Sequence, residues 1–347
     1  MSDVTAVHQA AAACYDRMAR QHARDQTSSE TPFRHFNNFV KKSLIQTALD
    51  NARANGTSNA AVLDLASGRG GDLMKWCFGQ SPKLSKSTAK LTRKELTKAS
   101  EYHCYDISPQ SIEGARQRAE ESLSDAQAKE MSCSFEVANC FDESFLQETL
   151  SQHSKFGAFD IITIQFAFHY ACSSDDRVRM VLRYCLAALA PGGLFVATMV
   201  NSEKVRAAVD VTTGVVNGGK FKIEFRRPLG DGTSEPSELP PFQASSLQLG
   251  AQYRFFLEDF VDCDEYFVPI EDLRRIASEV GFEEDVGKPF DTYINAYRMD
   301  PKNLVLSADD KELTSLYRTV LLRKPGGLKA VSTTDADSGS RFAAFRR

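Results

Sequence analysis

VLDLASGRGGDLMKW, residues 62–76, reads as a buried strand ending near an aspartate, then a loop of small residues, then the first turn of a helix. Gly68, Gly70 and Gly71 sit in the loop, with Ala66 at its first position. A loop of this kind lets a ligand approach the backbone and face the N–H groups at a helix N-terminus. The pattern continues on both sides. AAVLDLA (60–66), YHCYDIS (102–108), MSCSFEVAN (131–139), FDIITIQFAF (159–168) and LFVATMV (194–200) are short apolar or β-branched runs. Helical periodicities separate them, in SIEGARQRAEESL (111–123) and RVRMVLRYCLAALA (177–190), where PGG (191–193) is expected to stop the helix. Strands alternating with helices imply right-handed βαβ units and an α/β, doubly wound, mostly parallel sheet.

The 347 residues suffice for one large α/β domain or two small ones. A net charge of −4 gives no overall basic field for nucleic acid, which leaves a local basic cleft open. Eight cysteines without a C-x-x-C pair read as reduced thiols of an intracellular protein, with no metal site. No apolar run approaches the ~18 residues that span a bilayer, so no membrane is expected. The start, MSDVTAVHQAAAACYDRMAR, reads as a helix rather than a signal peptide.

Residues 1–59 are expected to form an N-terminal helical segment and 60–325 the main domain, which two insertions interrupt. The first, about 81–100, is rich in lysine and could steer RNA or be a plain surface loop. The second, about 201–268, contains the hairpin-like NGGKFKIEFRR, a Gly/Ser/Pro-rich loop and the aromatic-acidic YRFFLEDFVDCDEYFVP. Residues 326–347 are small and polar and are expected to be a disordered tail.

The glycine loop alone leaves NAD(P) and S-adenosylmethionine equally open. Two carboxylates tilt the balance. Asp64, inside the first strand, can organise the loop amides or hold a ligand ammonium, whereas a pyrophosphate would be repelled. Asp106 ends the second strand, where it can accept from both ribose hydroxyls; the alternative is a helix cap, for which Ser108 is better suited. Lys41 can pair with a ligand carboxylate, and Asn139 can face an adenine amine. The reading is therefore a class I S-adenosylmethionine-dependent methyltransferase, with a Rossmann-like, seven-stranded-type sheet.

RHFNNFVKK, LDLASGRGGDLMKW, ITIQFAFHYA, APGGLFVATMVNS, YRFFLEDFVDCDEYFVP and TSLYRTVLLRK occur together and in this order. The set resembles the eukaryotic mRNA cap (guanine-N7) methyltransferase family, over roughly residues 15–324. The resemblance implies a cap site lined by Asn37 and Asn38, with His169 and the basic Arg69, Lys75 and Arg118. It also implies that Glu265 and Tyr317 meet the base that is methylated. On the cofactor side it implies Lys41, Ala66, Gly68, Asp106, Asn139, Gln165 and Tyr170 beside Asp64. Capped RNA (a GpppN-RNA 5′ end) is the implied substrate, and the nucleus the implied location. Other capping enzymes or RNA polymerase II are candidate partners.

The chemistry suits these residue types. Guanine N7 has a lone pair and no proton, so in-line displacement needs no general base and no catalytic residue, only alignment. A carboxylate at Glu265 can accept from guanine N1–H and N2–H₂ and so reject adenine. Glu258, Asp259, Asp262 and Asp264 lie nearby, and by spacing alone Glu265 reads as a solvated member of that acidic run; the family resemblance is what assigns it to the base. His169 lies at the carboxyl edge of the fourth strand, with guanine O6 or ribose as its target. Two positions depart from the family. Ala66 replaces a glycine, which requires a negative φ there, and Asn139 replaces an aspartate, which removes a charge from the adenine contact. Two alternatives follow: a methyltransferase of another substrate, or an RNA-binding capping subunit that binds cofactor poorly. A dehydrogenase ranks below both.

Overall fold

Ala60–Leu65, apolar apart from Asp64, is buried without a break and forms β1 (Asn59–Leu65), the centre of the larger sheet. A computed structural model describes residues 3–24, 31–78, 98–123, 130–226, 242, 246–258 and 260–326. β1 pairs in parallel with β2 (Lys98–Asp106) on one side and β4 (Phe159–Gln165) on the other. β3 (Ser132–Val137) adds in parallel to β2, and β5 (Leu189–Val200) to β4. The last strand, β10 (Tyr317–Arg323), runs antiparallel along β5, giving the order β10-β5-β4-β1-β2-β3.

Alternate residues of the central strands face opposite layers, as pleating requires. Leu63, Leu65, Ile162 and Ile164 join the core beneath α1 (Asp3–Arg24) and α5 (Asp175–Ala188). Ala60, Val62 and Ile161 join the opposite core. There they meet α2 (Pro32–Ala54), α3 (Leu73–Phe78) and α4 (Pro109–Ser122). Helices on both faces make the sheet doubly wound. α2 starts where Thr31 accepts from Arg34 N–H and Pro32 takes a position whose N–H has no helical partner.

Two sequence expectations change. The helix before PGG ends at Ala188, and Pro191–Gly193 lies inside β5 at an irregularity where Phe159 pairs with Leu189 but Ile161 with Leu194. The extra residues form a bulge at the strand's entry. The seventh strand of the expected sheet is also not regular. Residues 283–289 run antiparallel beside β10: Glu283 N–H donates to the Arg323 carbonyl (2.9 Å) and Val286 N–H to Leu321 (3.2 Å). The Asp285 carboxylate interrupts the ladder by accepting from Leu321 N–H and Gly287 N–H, both at 2.8 Å.

Asp285 also holds the fully buried Arg318 at 3.1 Å. Removing one member of a buried ion pair leaves an uncompensated charge. Asp285→Ala should cost about 3–5 kcal/mol in denaturant unfolding; a loss below about 1 kcal/mol would contradict this structural role.

Within 201–268, α6 (Ser202–Ala208) precedes a second, antiparallel sheet of β6 (Val215–Asn217), β7 (Phe221–Phe225), β8 (Gln252–Leu257) and β9 (Val261–Tyr266), paired in that order. The hairpin expected in NGGKFKIEFRR is β6–β7. Phe221, Ile223, Phe225, Tyr253, Phe255 and Leu257 form an apolar face that shares a core with Phe33, Phe36 and Val40 of α2 and with Tyr317. α7 (Ile270–Val280) then returns the chain to the larger sheet, packing on α5. The 81–100 insertion lies outside the described residues except for Lys98–Ser100, which open β2. The Gly/Ser/Pro-rich loop lies almost wholly outside them, and the tail does so from residue 327. No described helix is long and apolar enough to cross a membrane.

Candidate functional site

A cavity of about 270 Å³ opens at the carboxyl edge of the larger sheet, where the loops after β1, β2, β3 and β4 converge. Lys41, Asp64, Ala66, Gly68, Asp106, Asn139, Gln165 and Tyr170 all line it. Gly68 and Gly70 have φ of 55° and 64°, a region open to glycine at little cost, and this curls the loop back toward β2. Asp106 closes the curl. Its carboxylate accepts from Gly68 N–H (2.8 Å) and Ser108 N–H (2.9 Å), while the Ser108 hydroxyl caps α4. Burial raises the Asp106 pKa against these two donors.

Asp64, on the neighbouring strand β1, is buried in the same cavity lining. The Tyr102 hydroxyl donates to its Oδ2, and its Oδ1 has no partner among the described residues. Burial pushes its pKa up to about 8, although Tyr102 acts in the other direction. A buried carboxylate with one empty oxygen on a cavity wall is costly unless a ligand supplies the donor. Gln165 repeats the pattern: its amide N–H donates to Thr163 Oγ1 (2.8 Å), and its Oε1 is unpartnered among the described residues.

Lys41 also lines the cavity, with its ammonium 2.9 Å from the Asp72 carboxylate. Lys75 holds the same carboxylate at 2.6 Å and the Gly71 carbonyl at 2.9 Å. Burial would raise the Asp72 pKa, but the two ammonium groups outweigh it and hold it near 2. The Lys75 ammonium, expected at the basic side of the cap site, is thus engaged by Asp72 and the glycine loop. Arg69 and Arg118 are exposed and adjacent: Arg118 Nε–H donates to the Arg69 carbonyl (3.0 Å).

Ala66 corrects another expectation. Its φ is 58°, so the left-handed conformation is kept and an L-residue occupies it at a cost of roughly 1–2 kcal/mol. Ala66→Gly should therefore raise stability by up to about 1 kcal/mol in urea unfolding, net of glycine's greater unfolded-state entropy; a destabilised variant would show that the strain is not there. Phe166 is the only other non-glycine residue with positive φ among those described, at 56°. Backbone N–H bonding to Thr198 Oγ1 (2.8 Å) holds it in place. Its ring lies 5.9 Å from the Lys41 ammonium and 5.2 Å from the Tyr317 ring, so it forms a wall between the cavity and the region behind it.

That region contains the other expected residues. Glu265 on β9 and His169, in the short 3₁₀ helix Phe168–Ala171, approach to 3.4 Å (Oε1 to Nε2), and both are buried. Tyr253, directly across the β8–β9 ladder, donates its hydroxyl to Glu265 Oε2 (2.6 Å). Burial raises the Glu265 pKa to about 8 and lowers that of His169 to about 3, so both favour their neutral forms. Neither ring nitrogen of His169 makes a hydrogen bond among the described residues. Tyr170 links the two regions. It lines the cavity, and its ring centroid lies 4.2 Å from that of His169.

Tyr317 is packed among Phe33, Phe166, Phe255 and Phe290. Asn37 lies one turn beyond Phe33 and one turn before Lys41, on the α2 face that looks toward Tyr317 and Phe166. Its Oδ1 is buried without a partner among the described residues. Asn38, the next residue, is half-buried.

The sequence profile of the mRNA (guanine-N7)-methyltransferase domain matches residues 2–325. This chain belongs to the mRNA (guanine-N7)-methyltransferase family. It is 30% identical to mRNA cap guanine-N(7) methyltransferase 1 of Oryza sativa subsp. japonica, over 84% of this chain and 74% of the rice protein. It is 29% identical to the Arabidopsis thaliana protein of the same name, over 90% and 80% of the two chains. It is also 29% identical to the Schizosaccharomyces pombe mRNA cap guanine-N(7) methyltransferase, over 84% and 75%. S-adenosylmethionine is the cofactor of this family. The cavity fits it, because unpartnered Asp64 Oδ1 suits an ammonium and a cation stands at Lys41.

For this guanine-N7 methyltransferase, sequence reading missed the cavity's roof: His8, Ala11, Ala12 and Tyr15 of α1. It also missed Phe166, Tyr253 and Asp72. Tyr253 had a signal, since AQYRFFL alternates and Tyr253, Phe255 and Leu257 face inward together. Helix α1 had none, because small residues and one histidine do not announce what they cover.

Proposed function

We infer that this chain methylates N7 of the guanine cap of mRNA, with S-adenosylmethionine as donor. The observation that carries the reading is the buried pair Glu265–His169, which lies next to the cofactor cavity: the Tyr170 ring, part of the cavity lining, packs against His169. Lys41, Asp64, Asp106, Asn139 and Gln165 would hold the cofactor, which supplies a sulfonium methyl. The remaining work falls to this chain's own side chains.

The guanine needs no base to remove a proton, so the protein contributes alignment, up to about 7–11 kcal/mol of barrier. Ionised Glu265 would accept from guanine N1–H and N2–H₂, with Tyr253 fixing the carboxylate's other edge. The same negative charge stabilises the ring as N7 becomes cationic. His169 would complete the base edge, and Asn37, Asn38 and Tyr317 would bound the base pocket. Arg69 and Arg118 would meet the cap triphosphate, a task suited to guanidinium geometry. Glu265 and His169 are closed to solvent, so a base reaches them only when the surrounding rings part.

The nucleus is the proposed location, and other capping enzymes and RNA polymerase II the proposed partners, because nascent 5′ ends arise there. The deciding experiment uses purified protein, a labelled methyl donor, and RNA ending in GpppN or in a plain triphosphate. Label should enter the capped RNA alone; equal labelling of both, or of neither, refutes the reading.

A further inference from the structure

Three hydrogen bonds at the cavity's roof can be assigned in one direction only. Phe141 N–H donates to one side-chain atom of Asn139 (3.3 Å), which must be its carbonyl oxygen. The amide nitrogen of Asn139 then lies 2.9 Å from His8 Nδ1. The other ring nitrogen, Nε2, lies 2.8 Å from the Tyr170 carbonyl, which can only accept. His8 therefore carries its proton on Nε2, and Nδ1 accepts from Asn139. His8 is 3% exposed. It packs edge-on against Phe141, with the Asp142 carboxylate 3.9 Å from Nδ1 and Arg177 also in its field. Burial lowers its pKa, which favours the neutral ring that this pattern requires.

Asn139 has two N–H groups and two carbonyl lone pairs. Among the described residues one of each is used, leaving one donor and one acceptor on a residue that lines the cavity. The sheet order says what reaches them. Asp106 ends β2, between the glycine loop after β1 and the loop after β3. A nucleoside with its diol on Asp106 and its remaining part at Asp64 and Lys41 has its base beside Asn139 and Phe141.

We propose that His8 is a positioning residue that locks the Asn139 amide in one orientation, so that the pocket accepts adenine and rejects a base of inverted hydrogen-bond pattern. The proposal rests on the S-adenosylmethionine reading of the cavity. Adenine offers a donor at N6 and an acceptor at N1, whereas hypoxanthine offers an acceptor at O6 and a donor at N1. A freely turning asparagine serves both bases by flipping. Anchored between Phe141 N–H and His8 Nδ1, it serves only one. An aspartate here would repel O6 without any anchor, so His8 compensates for asparagine at this position.

The test measures binding of S-adenosylhomocysteine and S-inosylhomocysteine by calorimetry to the full chain and its variants. The unaltered protein should prefer the adenosyl ligand by about 10²-fold. In His8→Phe, adenosyl affinity should fall about tenfold and the preference shrink below about fivefold. His8→Asn, whose carbonyl oxygen can replace Nδ1, should keep most of the preference. If His8 merely holds α1 in place, both ligands weaken by one factor and the ratio stays, which overturns the proposal. No preference in the unaltered protein overturns it too. If that protein binds neither ligand, the cofactor reading falls first and this inference with it.

Discussion

Glu265→Gln lowers kcat/KM for capped RNA by at least about 10²-fold while S-adenosylhomocysteine affinity changes less than about threefold. The substitution keeps volume and keeps an acceptor for the Tyr253 hydroxyl. It puts an N–H₂ where guanine N1–H and N2–H₂ would donate, and it removes the charge that stabilises methylated guanine. The pH profile provides a second reading. Burial raises the free Glu265 pKa to about 8, yet base recognition needs the carboxylate. For the unaltered protein kcat/KM should climb with pH and level off near 8, and in Glu265→Gln this limb should vanish. The sign for stability is opposite. An unfolded Glu ionises near 4.5 and the folded one near 8, so this residue weakens the fold as pH rises between those values. Urea midpoints should therefore favour Glu265→Gln more at pH 8 than at pH 5. Unchanged cap methylation in the variant would remove Glu265 from base recognition.

The burial of Glu265 shows what sequence can and cannot say. Four acids precede it within seven residues, and an acidic run is ordinarily solvated. Two of them do face outward on β9: Asp262 pairs with Arg254 and Asp264 with Arg226, all at the surface. The strand's period of two turns Cys263 and Glu265 inward instead. That period is present in the sequence, but charged residues occupy both faces, so alternation alone cannot choose between them. The family resemblance supplied the choice. The cofactor side was more legible for a plain reason: its residues sit at the carboxyl ends of strands, where an open α/β sheet brings separate loops together. Once β1 to β4 were recognised, convergence of Asp64, Asp106, Asn139 and Gln165 followed from topology. The roof was not legible, because α1 reaches the cavity through tertiary packing. Ala66 was misread for a related reason, since the loop's closure onto Asp106 sets its φ, whichever residue stands there.

The last expectation concerns the other buried carboxylate. Asp64→Asn should weaken S-adenosylhomocysteine binding by about 10²-fold and leave the fold intact. Asparagine mimics the neutral acid, which is the form burial favours in the free protein up to about pH 8, and it can still accept from the Tyr102 hydroxyl. What it cannot do is offer a second anionic oxygen to an ammonium group at the place where Oδ1 now has no partner. The raised pKa makes a quantitative demand. Near pH 7 a proton must leave Asp64 as the ligand's ammonium arrives, so the observed binding enthalpy should vary with the ionisation enthalpy of the buffer, and affinity should rise with pH toward 8. Both dependences should disappear in Asp64→Asn. A buffer-independent enthalpy in the unaltered protein, with undiminished affinity in the variant, would mean that Asp64 braces Tyr102 and the strand rather than the cofactor. The unpartnered oxygen would then be a cost of the fold with no ligand to offset it.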